Sequence, residues 1–147
     1  MAFLMSKDVK ATLVQVGLVD GQSDPESDPV DMQGYEGVVF VGNINTVTGA
    51  ATVKLTPEQS TATGGSYSAI STAANIISTA GSADKFLMTD VYRPRERFVK
   101  CLLTRAAANS VYGGTMAYQY GPGAKTPVTH STTTADTVPV FHHPQTT

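Results

Sequence analysis

The chain has 147 residues, a formal net charge of −2 at pH 7 and only 15% charged residues. This length predicts a single domain. A chain with so little charge has no basic surface that could neutralise phosphates, so we expect no nucleic-acid partner. The apolar run Met1–Met5 is followed at once by Lys7 and Asp8 and is too short for a signal peptide or a membrane span. We therefore expect synthesis in the cytoplasm without export, and no membrane partner.

The N-terminal part of the chain starts with an extended arm, residues 1–8, and continues into an apolar segment. Lys10–Val19 mixes apolar and polar residues in a partial alternation that is typical of a strand entering a core. Asp20–Asp31 has two prolines and four aspartates, which predicts a solvated surface loop. This loop lacks the central glycine and the final glutamate of an EF-hand, so we do not expect it to bind calcium.

Two further strands are predicted in the first half of the chain. Tyr35–Ile44 is a continuous apolar run bounded by glycines, as expected of a strand buried on both faces. Val47–Thr56 contains an alternation typical of a half-exposed strand, and we expect the two strands to form a hairpin. Pro57–Gly65 is predicted to be a loop, and a short strand is predicted near Tyr67–Ile70, followed by irregular chain.

The most apolar part of the chain is Asp84–Arg105, which contains two alternating runs separated by a charged corner with a proline. Pro94 fixes its own φ and cannot donate to a ladder, so the pattern predicts a turn at Arg93–Glu96 and an antiparallel hairpin at the centre of a sheet. Each large apolar side chain buried here would stabilise the fold by about 1.5–3 kcal/mol. Cys101 lies within the second run, which predicts a buried and unreactive thiol.

The last predicted strand is Ser110–Tyr120, in which Gly113 and Gly114 are expected to produce a bend or a bulge. The two-residue period places four large side chains on one face. These are Tyr112, Met116, Tyr118 and Tyr120.

The chain changes character after Gly123, because residues 124–147 are rich in threonine and proline and have no long apolar run. Such a segment cannot bury enough surface to order itself, so we expect an extended C-terminal arm that packs near Val138–Phe141 as an extra strand or is held by a neighbouring subunit. The domain organisation is an N-terminal arm (1–8), a sandwich domain (9–123) and a C-terminal arm (124–147). Short strands with Gly/Pro-rich turns predict an all-β fold, a two-sheet antiparallel β-sandwich.

Residues capable of catalysis or metal binding do not form a convincing constellation in the sequence. Gly121–Thr126 departs from a phosphate-binding loop because Ala124 replaces a required glycine and Pro122 lacks an N–H group. His142 and His143 are adjacent and would point to opposite sides of an extended chain, which does not favour a metal site. We therefore predict no catalytic residue, no cofactor and no metal, and hence a protein that is not an enzyme.

Charged residues near the corner are better explained by contacts than by catalysis. Glu96 is expected to pair with a neighbouring arginine, and Asp90 to bond to backbone or to a tyrosine. Guanidinium groups suit bidentate ion pairs at protein contacts, so the corner is a candidate interface, and so is the tail. The candidate interface residues are Arg93, Arg95, Arg97, Val128, His130, Val138, Phe141 and His142.

Four segments carry a family resemblance. They are YEGVVFV (35–41), DKFLMTDVYRPRERFVK (84–100), SVYGGTMAYQYGP (110–122) and KTPVTH (125–130). Together they resemble small virion structural proteins encoded in the morphogenesis clusters of tailed phages. The acidic loop at 20–31 and the threonine-rich window at 57–65 lie outside the resemblance.

The resemblance implies a jelly-roll cement or decoration protein, located on the capsid surface of a virion and made in the host cytoplasm. Its expected partners are the major capsid protein and further copies of itself, as a homodimer or a homotrimer. One alternative is a head–tail joining or tail structural protein of the same virion. Another is a carbohydrate-binding module, because sandwiches commonly bind sugars and the chain carries tyrosines at Tyr92 and in 112–120, although it has no tryptophan.

Overall fold

A computed structural model describes residues 5–48, 51–70, 75–77 and 84–121. Within these ranges the chain forms one helical turn and ten strands. They are α1 Met5–Asp8, β1 Lys10–Gln15, β2 Leu18–Gly21, β3 Val30–Asp31, β4 Gly37–Val47, β5 Thr52–Ser60, β6 Ser68–Ala69, β7 Asn75–Ile77, β8 Lys85–Tyr92, β9 Phe98–Ala106 and β10 Ser110–Tyr120. In the part of the chain described here, no helix has the length and apolar character that a bilayer crossing requires.

The strands form two antiparallel sheets that pack face to face. Sheet A has the order β1-β10-β4-β8, and β2 also pairs with β10. Sheet B has the order β3-β9-β5-β6, and β7 also pairs with β5. The prediction of an all-β, two-sheet antiparallel sandwich is therefore confirmed.

The core lies between the inward faces of the two sheets. Alternation of side chains along each strand sends Val38 and Phe40 of β4 inward to meet Leu55 of β5 and Leu103 of β9. Cys101 is also fully buried there, as predicted, and burial raises the pKa of its thiol well above the ordinary value. Each of these side chains contributes about 1.5–3 kcal/mol of hydrophobic stabilisation before conformational entropy is subtracted.

Both predicted hairpins are wrong, although their strands exist. β8 pairs with β4 in sheet A, whereas β9 pairs with β5 and β3 in sheet B. In the same way, β4 lies in sheet A and β5 lies in sheet B. The chain therefore crosses from one sheet to the other at each of these connections, instead of turning back beside itself.

The connection from β8 to β9 is long enough for this crossing. Residues 93–97 separate the two strands, and the gap between packed sheets is about 10 Å, which a few extended residues can span. Arg93 has a φ of 49°, the left-handed conformation that redirects the chain, and its N–H group donates to the carbonyl of Glu36 at 2.7 Å. A hairpin within one sheet is favoured by two-residue turns of the Asn-Gly type, which this corner does not contain.

The predicted irregularity at Gly113 and Gly114 is confirmed, and it changes which residues share a face. The register with β4 shifts between Tyr112 and Gly114, so β10 gains one residue relative to its neighbour. Tyr112 therefore points into the core and is only 2% exposed, whereas Met116 lies on the outer face. Placing Tyr112 on the same face as the later tyrosines was wrong because a bulge inverts the two-residue period.

Residues 20–31 are not only a solvated loop, as the sequence analysis expected. This segment runs along the edge of β9, where Ser27 N–H donates to the Cys101 carbonyl at 2.8 Å and Leu103 N–H donates to the Pro25 carbonyl at 3.0 Å. A Ser27 hydroxyl also accepts from Cys101 N–H at 2.9 Å. Together with the short β3, the segment thus satisfies backbone groups on the side of β9 away from β5, which would otherwise be open to pairing with other chains.

Smaller differences concern the boundaries of elements. Lys10–Val19 is divided between β1 and β2, and α1 shows that the end of the N-terminal arm is a helical turn where an extended chain was expected. The predicted loop at Pro57–Gly65 begins in β5, which extends to Ser60. The Pro57 carbonyl points to the β6 side, where it accepts from Ile70 N–H at 2.9 Å. The N–H group of a strand residue points to the same side as its carbonyl, so the N–H that proline lacks would not have bonded to β9. The predicted short strand near Tyr67–Ile70 is confirmed as β6.

Candidate protein interface

The arginine corner, Arg93–Arg97, forms a ridge on the surface where the chain leaves sheet A for sheet B. All three of its arginines are exposed. A groove of about 520 Å³ lies on one side of the ridge, and Tyr35 and Glu36 line it together with the corner. A second groove of about 400 Å³ lies on the other side, between the corner and Ile70. The corner therefore projects as a ridge flanked by two depressions, a shape that suits contact with a protein surface.

A side chain of β5, in sheet B, holds the backbone of the arginine corner in place. The Gln59 carbonyl oxygen Oε1 accepts from the N–H groups of Arg95, at 3.1 Å, and Glu96, at 3.3 Å. At the end of the corner, Met32 N–H donates to the carbonyl of Arg97 at 2.8 Å. These bonds pre-organise the ridge, which reduces the entropy lost when such a surface binds a partner.

The three arginines differ in how their charge is balanced. Arg97 makes a two-bond ion pair with Asp31, with N–O distances of 2.9 and 2.8 Å, and this hydrogen bonding raises the pKa of Arg97. Arg93 lies 3.6 Å from a Glu36 oxygen, and its guanidinium is 5.1 Å from the ring centre of Tyr92. Among the residues that the structure describes, Arg95 takes part in no ion pair.

The expected pairing of Glu96 with a neighbouring arginine is wrong. Within the described ranges Glu96 has no ion pair, and Arg93 and Arg97 instead reach acids from earlier parts of the chain. Asp90 behaves as predicted, since the Tyr120 hydroxyl donates to it at 2.8 Å. Partial burial, together with this hydrogen bond and the charge of Asp90, raises the pKa of Tyr120 to about 12.

A second surface lies beside the arginine corner on the outward side of sheet A, and the sequence analysis did not identify it as an interface. Cross-strand register aligns apolar side chains from four strands in one row. The row is Met88, Val41, Met116 and Leu13. Phe86 and Tyr92 lie on the same side of β8, and both are more than half exposed. We call this surface the apolar face, and its members are Leu13, Val39, Val41, Phe86, Met88, Tyr92, Met116, Tyr118 and Tyr120.

One end of the apolar face depends on a glycine. A Cβ atom at Gly37 would lie 2.3 Å from ring atoms of Tyr120, so the ring can lie across β4 only because that position has no side chain. This placement brings the Tyr120 hydroxyl to Asp90 on the neighbouring β8. The Tyr120 ring thus covers the backbone of β4 at this end, and its hydroxyl engages Asp90, the one carboxylate among the described outward side chains of the aligned strands.

The outward side of sheet B is polar by contrast. Lys100 points outward from β9 yet is only 7% exposed, because Glu26, Glu58 and Tyr67 surround it. Burial, reinforced by the charge of Glu26, raises the pKa of Glu58, and the charge of Lys100 partly offsets that rise. The most deeply buried cation described on this side of the sandwich is therefore balanced by acids of the same chain.

Only part of the candidate interface predicted from the sequence can be located. Arg93, Arg95 and Arg97 are brought together on the ridge. Val128, His130, Val138, Phe141 and His142 lie outside the described residues. The described part of the chain contains no group of three or more His, Cys, Asp or Glu side chains that could hold a metal ion.

Comparison with known proteins establishes the fold alone. No protein-family model matches the chain, and no curated protein matches it. A solved structure, that of Eiger TNF from S. frugiperda, matches 84% of this chain and 99% of its own length with a TM-score of 0.50 and 11% sequence identity. At this identity the likeness shows the fold alone, a jelly-roll-like β-sandwich.

Proposed function

We propose that this chain is a non-enzymatic capsid cement or decoration protein of a tailed phage, which binds the outer shell and stabilises contacts between major capsid protein subunits. The phage assignment is supported by the four segments that resemble virion structural proteins. The adhesive role is supported by two surfaces of the sandwich, the arginine corner and the apolar face. In this proposal the protein is made in the host cytoplasm and resides on the capsid surface.

The observation that carries the proposal is the pre-organised arginine corner. Arginine is enriched at energetically dominant positions of protein interfaces, because its planar guanidinium binds carboxylates and carbonyls with paired hydrogen bonds. Arg95 is exposed on a backbone that Gln59 holds in place, and no described acid neutralises it. We infer that Arg95 binds an acidic or carbonyl-rich site on the major capsid protein.

Binding to capsid shells that lack this protein tests the proposal. Wild-type protein should saturate the shells, and Arg95→Glu should bind at least 10-fold more weakly because it places a carboxylate against the acidic site. Lys54→Glu is the matched control, since it makes the same charge reversal on the outward side of sheet B and should bind like wild type. Equal binding by Arg95→Glu would contradict the role of the corner.

Imaging of intact virions separates this proposal from its closest alternative. Cryo-electron microscopy should show the protein over the whole shell in many copies. Density confined to one ring at the portal or the tail would instead favour a head–tail joining or tail structural protein.

A carbohydrate-binding role is the second candidate, because the apolar face presents the rings of Tyr92, Tyr118 and Tyr120 on one flat surface. Aromatic rings on a flat sheet face suit stacking against the apolar side of a sugar. A glycan array is the direct test, and a signal that Tyr92→Ala removes would favour this role over adhesion to the shell.

A further inference from the structure

The apolar face is unusually exposed for a sheet surface. Phe86 is 63% exposed, Tyr92 58%, Met88 54% and Leu13 37%. If a large side chain presents about 200 Å² in total, these fractions correspond to roughly 400 Å² of exposed apolar surface. An apolar surface of this size is comparable to the largest patch of a typical soluble monomer, and such patches are often interaction sites.

We propose that a second copy of this chain binds the apolar face. This inference rests on the proposed function and adds which surface serves self-association. The half-buried members of the face and its rim extend the patch towards the ~800 Å² that each partner of a standard interface buries. The exposed area by itself corresponds to a small, weak contact between two copies, and the half-buried members enlarge it.

The charge distribution favours a second copy over a different protein. In a symmetric contact the same patch meets itself, so every charge on it approaches its own like charge. Among the described side chains that face outward in the cross-strand rows, Asp90 is the one charged residue, and the Tyr120 hydroxyl donates to it. The other charges lie at the rim, where Arg93 is 5.1 Å from the ring centre of Tyr92. A face with so little charge can meet its own copy with little electrostatic repulsion.

The arginine corner has the opposite property. Arg95 would approach its own copy as a second cation in a symmetric contact, which is unfavourable in a partly desolvated interface. That surface suits an acidic partner of different sequence. The two surfaces are therefore assigned to different partners, the apolar face to a second copy and the arginine corner to the shell.

The molecular mass of the full chain in solution tests this assignment. Sedimentation of wild-type protein should give an oligomer, and Phe86→Glu should shift it to a monomer, because a carboxylate would be buried at the contact. Val16→Glu is the matched control, since Val16 is 66% exposed in the bend between β1 and β2 and lies outside the aligned rows. It should remain oligomeric. A monomeric wild type, or an oligomeric Phe86→Glu, would overturn the proposal.

A photo-crosslinking measurement covers the case in which Phe86→Glu fails to fold. A benzophenone amino acid at position 86 preserves an aromatic side chain and should crosslink two copies of the chain. Crosslinks only within one chain would overturn the proposal, and crosslinks only to the major capsid protein would reassign the face to the shell. Arg95→Glu separates the two hypotheses, because it should keep its oligomeric state even where shell binding is lost.

Discussion

The outward sides of the two sheets differ in their charge and in how much apolar surface they expose. On sheet B, the one strongly buried outward cation, Lys100, is neutralised by Glu26 from the edge segment and Glu58 from β5. On sheet A, the outward side chains of β8 other than Asp90 are apolar or aromatic, and Phe86 and Tyr92 remain more than half exposed. The buried charge described on sheet B is therefore balanced within the chain, whereas sheet A presents a surface that gains stability when something covers it.

A continuous apolar run in a strand does not by itself mean that both faces of the strand are buried within the chain. The continuous run Tyr35–Ile44 predicted a strand buried on both faces, and its inward residues Val38 and Phe40 are fully buried. Its outward residues Val39 and Val41 are only half-buried. The pattern thus indicates a strand whose second face is suited to an additional partner.

The largest expected effect tests whether the inward and outward faces are assigned correctly. Val99 is fully buried on the inward side of β9, so Val99→Asp would place a charge in the core without a partner. We expect a loss of about 4 kcal/mol or more in the free energy of unfolding, measured by urea denaturation. Thr104→Asp, on the outward side of the same strand, should change it by no more than about 0.5 kcal/mol. A larger loss at Thr104 than at Val99 would mean that the faces are reversed, and similar losses would mean that the two sides of β9 are equally buried.

The faces of β8 and β9 could be predicted from the sequence, but their pairing could not. Alternation places Leu87 and Val91 on one side of β8, and Val99 on the inward side of β9, in a hairpin and in a sandwich alike. The inward residues of two strands meet whether the strands are neighbours in one sheet or face each other across the core. Only the connection distinguishes the two arrangements, and the left-handed conformation of Arg93 is not encoded by a glycine.

The candidate interface was likewise predictable only in part. The clustering of arginines at 93–97 is visible in the sequence, and it indicated an interface. The residues that hold this corner, Gln59, Asp31 and Glu36, are far away along the chain, and nothing in their local sequence marks them as partners. The apolar face was missed because membership in it depends on cross-strand register and on the bulge before Gly114.

Alkaline pH distinguishes the inner and the outer side of sheet A. Burial raises the pKa of Tyr112 to about 12 from the ordinary 10, even though its hydrogen bond with Thr115 acts in the opposite direction. The folded state therefore favours the protonated phenol of Tyr112. The contribution of this group to the free energy of unfolding is fully present below pH 10 and is lost as the pH rises to about 12. For Tyr112 this loss amounts to roughly 2–3 kcal/mol.

The measurement is the free energy of unfolding as a function of pH, combined with ultraviolet absorbance of ionised tyrosine. Tyr112→Phe should flatten the pH dependence between pH 10 and 12. Tyr120→Phe, on the outward side, should flatten it less, because Tyr120 is only half-buried and solvent screens the charge of Asp90 that helps to raise its pKa. An unchanged profile in Tyr112→Phe would show that its hydroxyl titrates as an exposed group does.

Removing the cation of Lys100 on sheet B is expected to change the free energy of unfolding by a smaller amount. Lys100→Ala would leave Glu58 without its cation in a nearly buried position, and we expect a loss of about 1–2 kcal/mol at neutral pH. The loss should diminish at acidic pH, because a protonated Glu58 no longer needs the cation. Lys54→Ala, on the same side of the sheet, is the control and should change the free energy of unfolding by about 0.5 kcal/mol at most. A Lys100 variant as stable as this control would mean that sheet B does not depend on its ion pairs.

The smallest effect on the folded monomer, and the sharpest contrast between the sheets, is expected at Phe86. Because its side chain is already largely exposed, Phe86→Thr should change the stability of the monomer by only about 0.5 kcal/mol, and threonine retains the preference for strands. Self-association makes the melting temperature depend on protein concentration, so the wild-type Tm should rise over about a hundredfold increase in concentration. The Phe86→Thr variant should lose this dependence, and Lys54→Thr on sheet B should retain it. A wild-type Tm that is independent of concentration would show that the apolar face of sheet A is stable in water on its own.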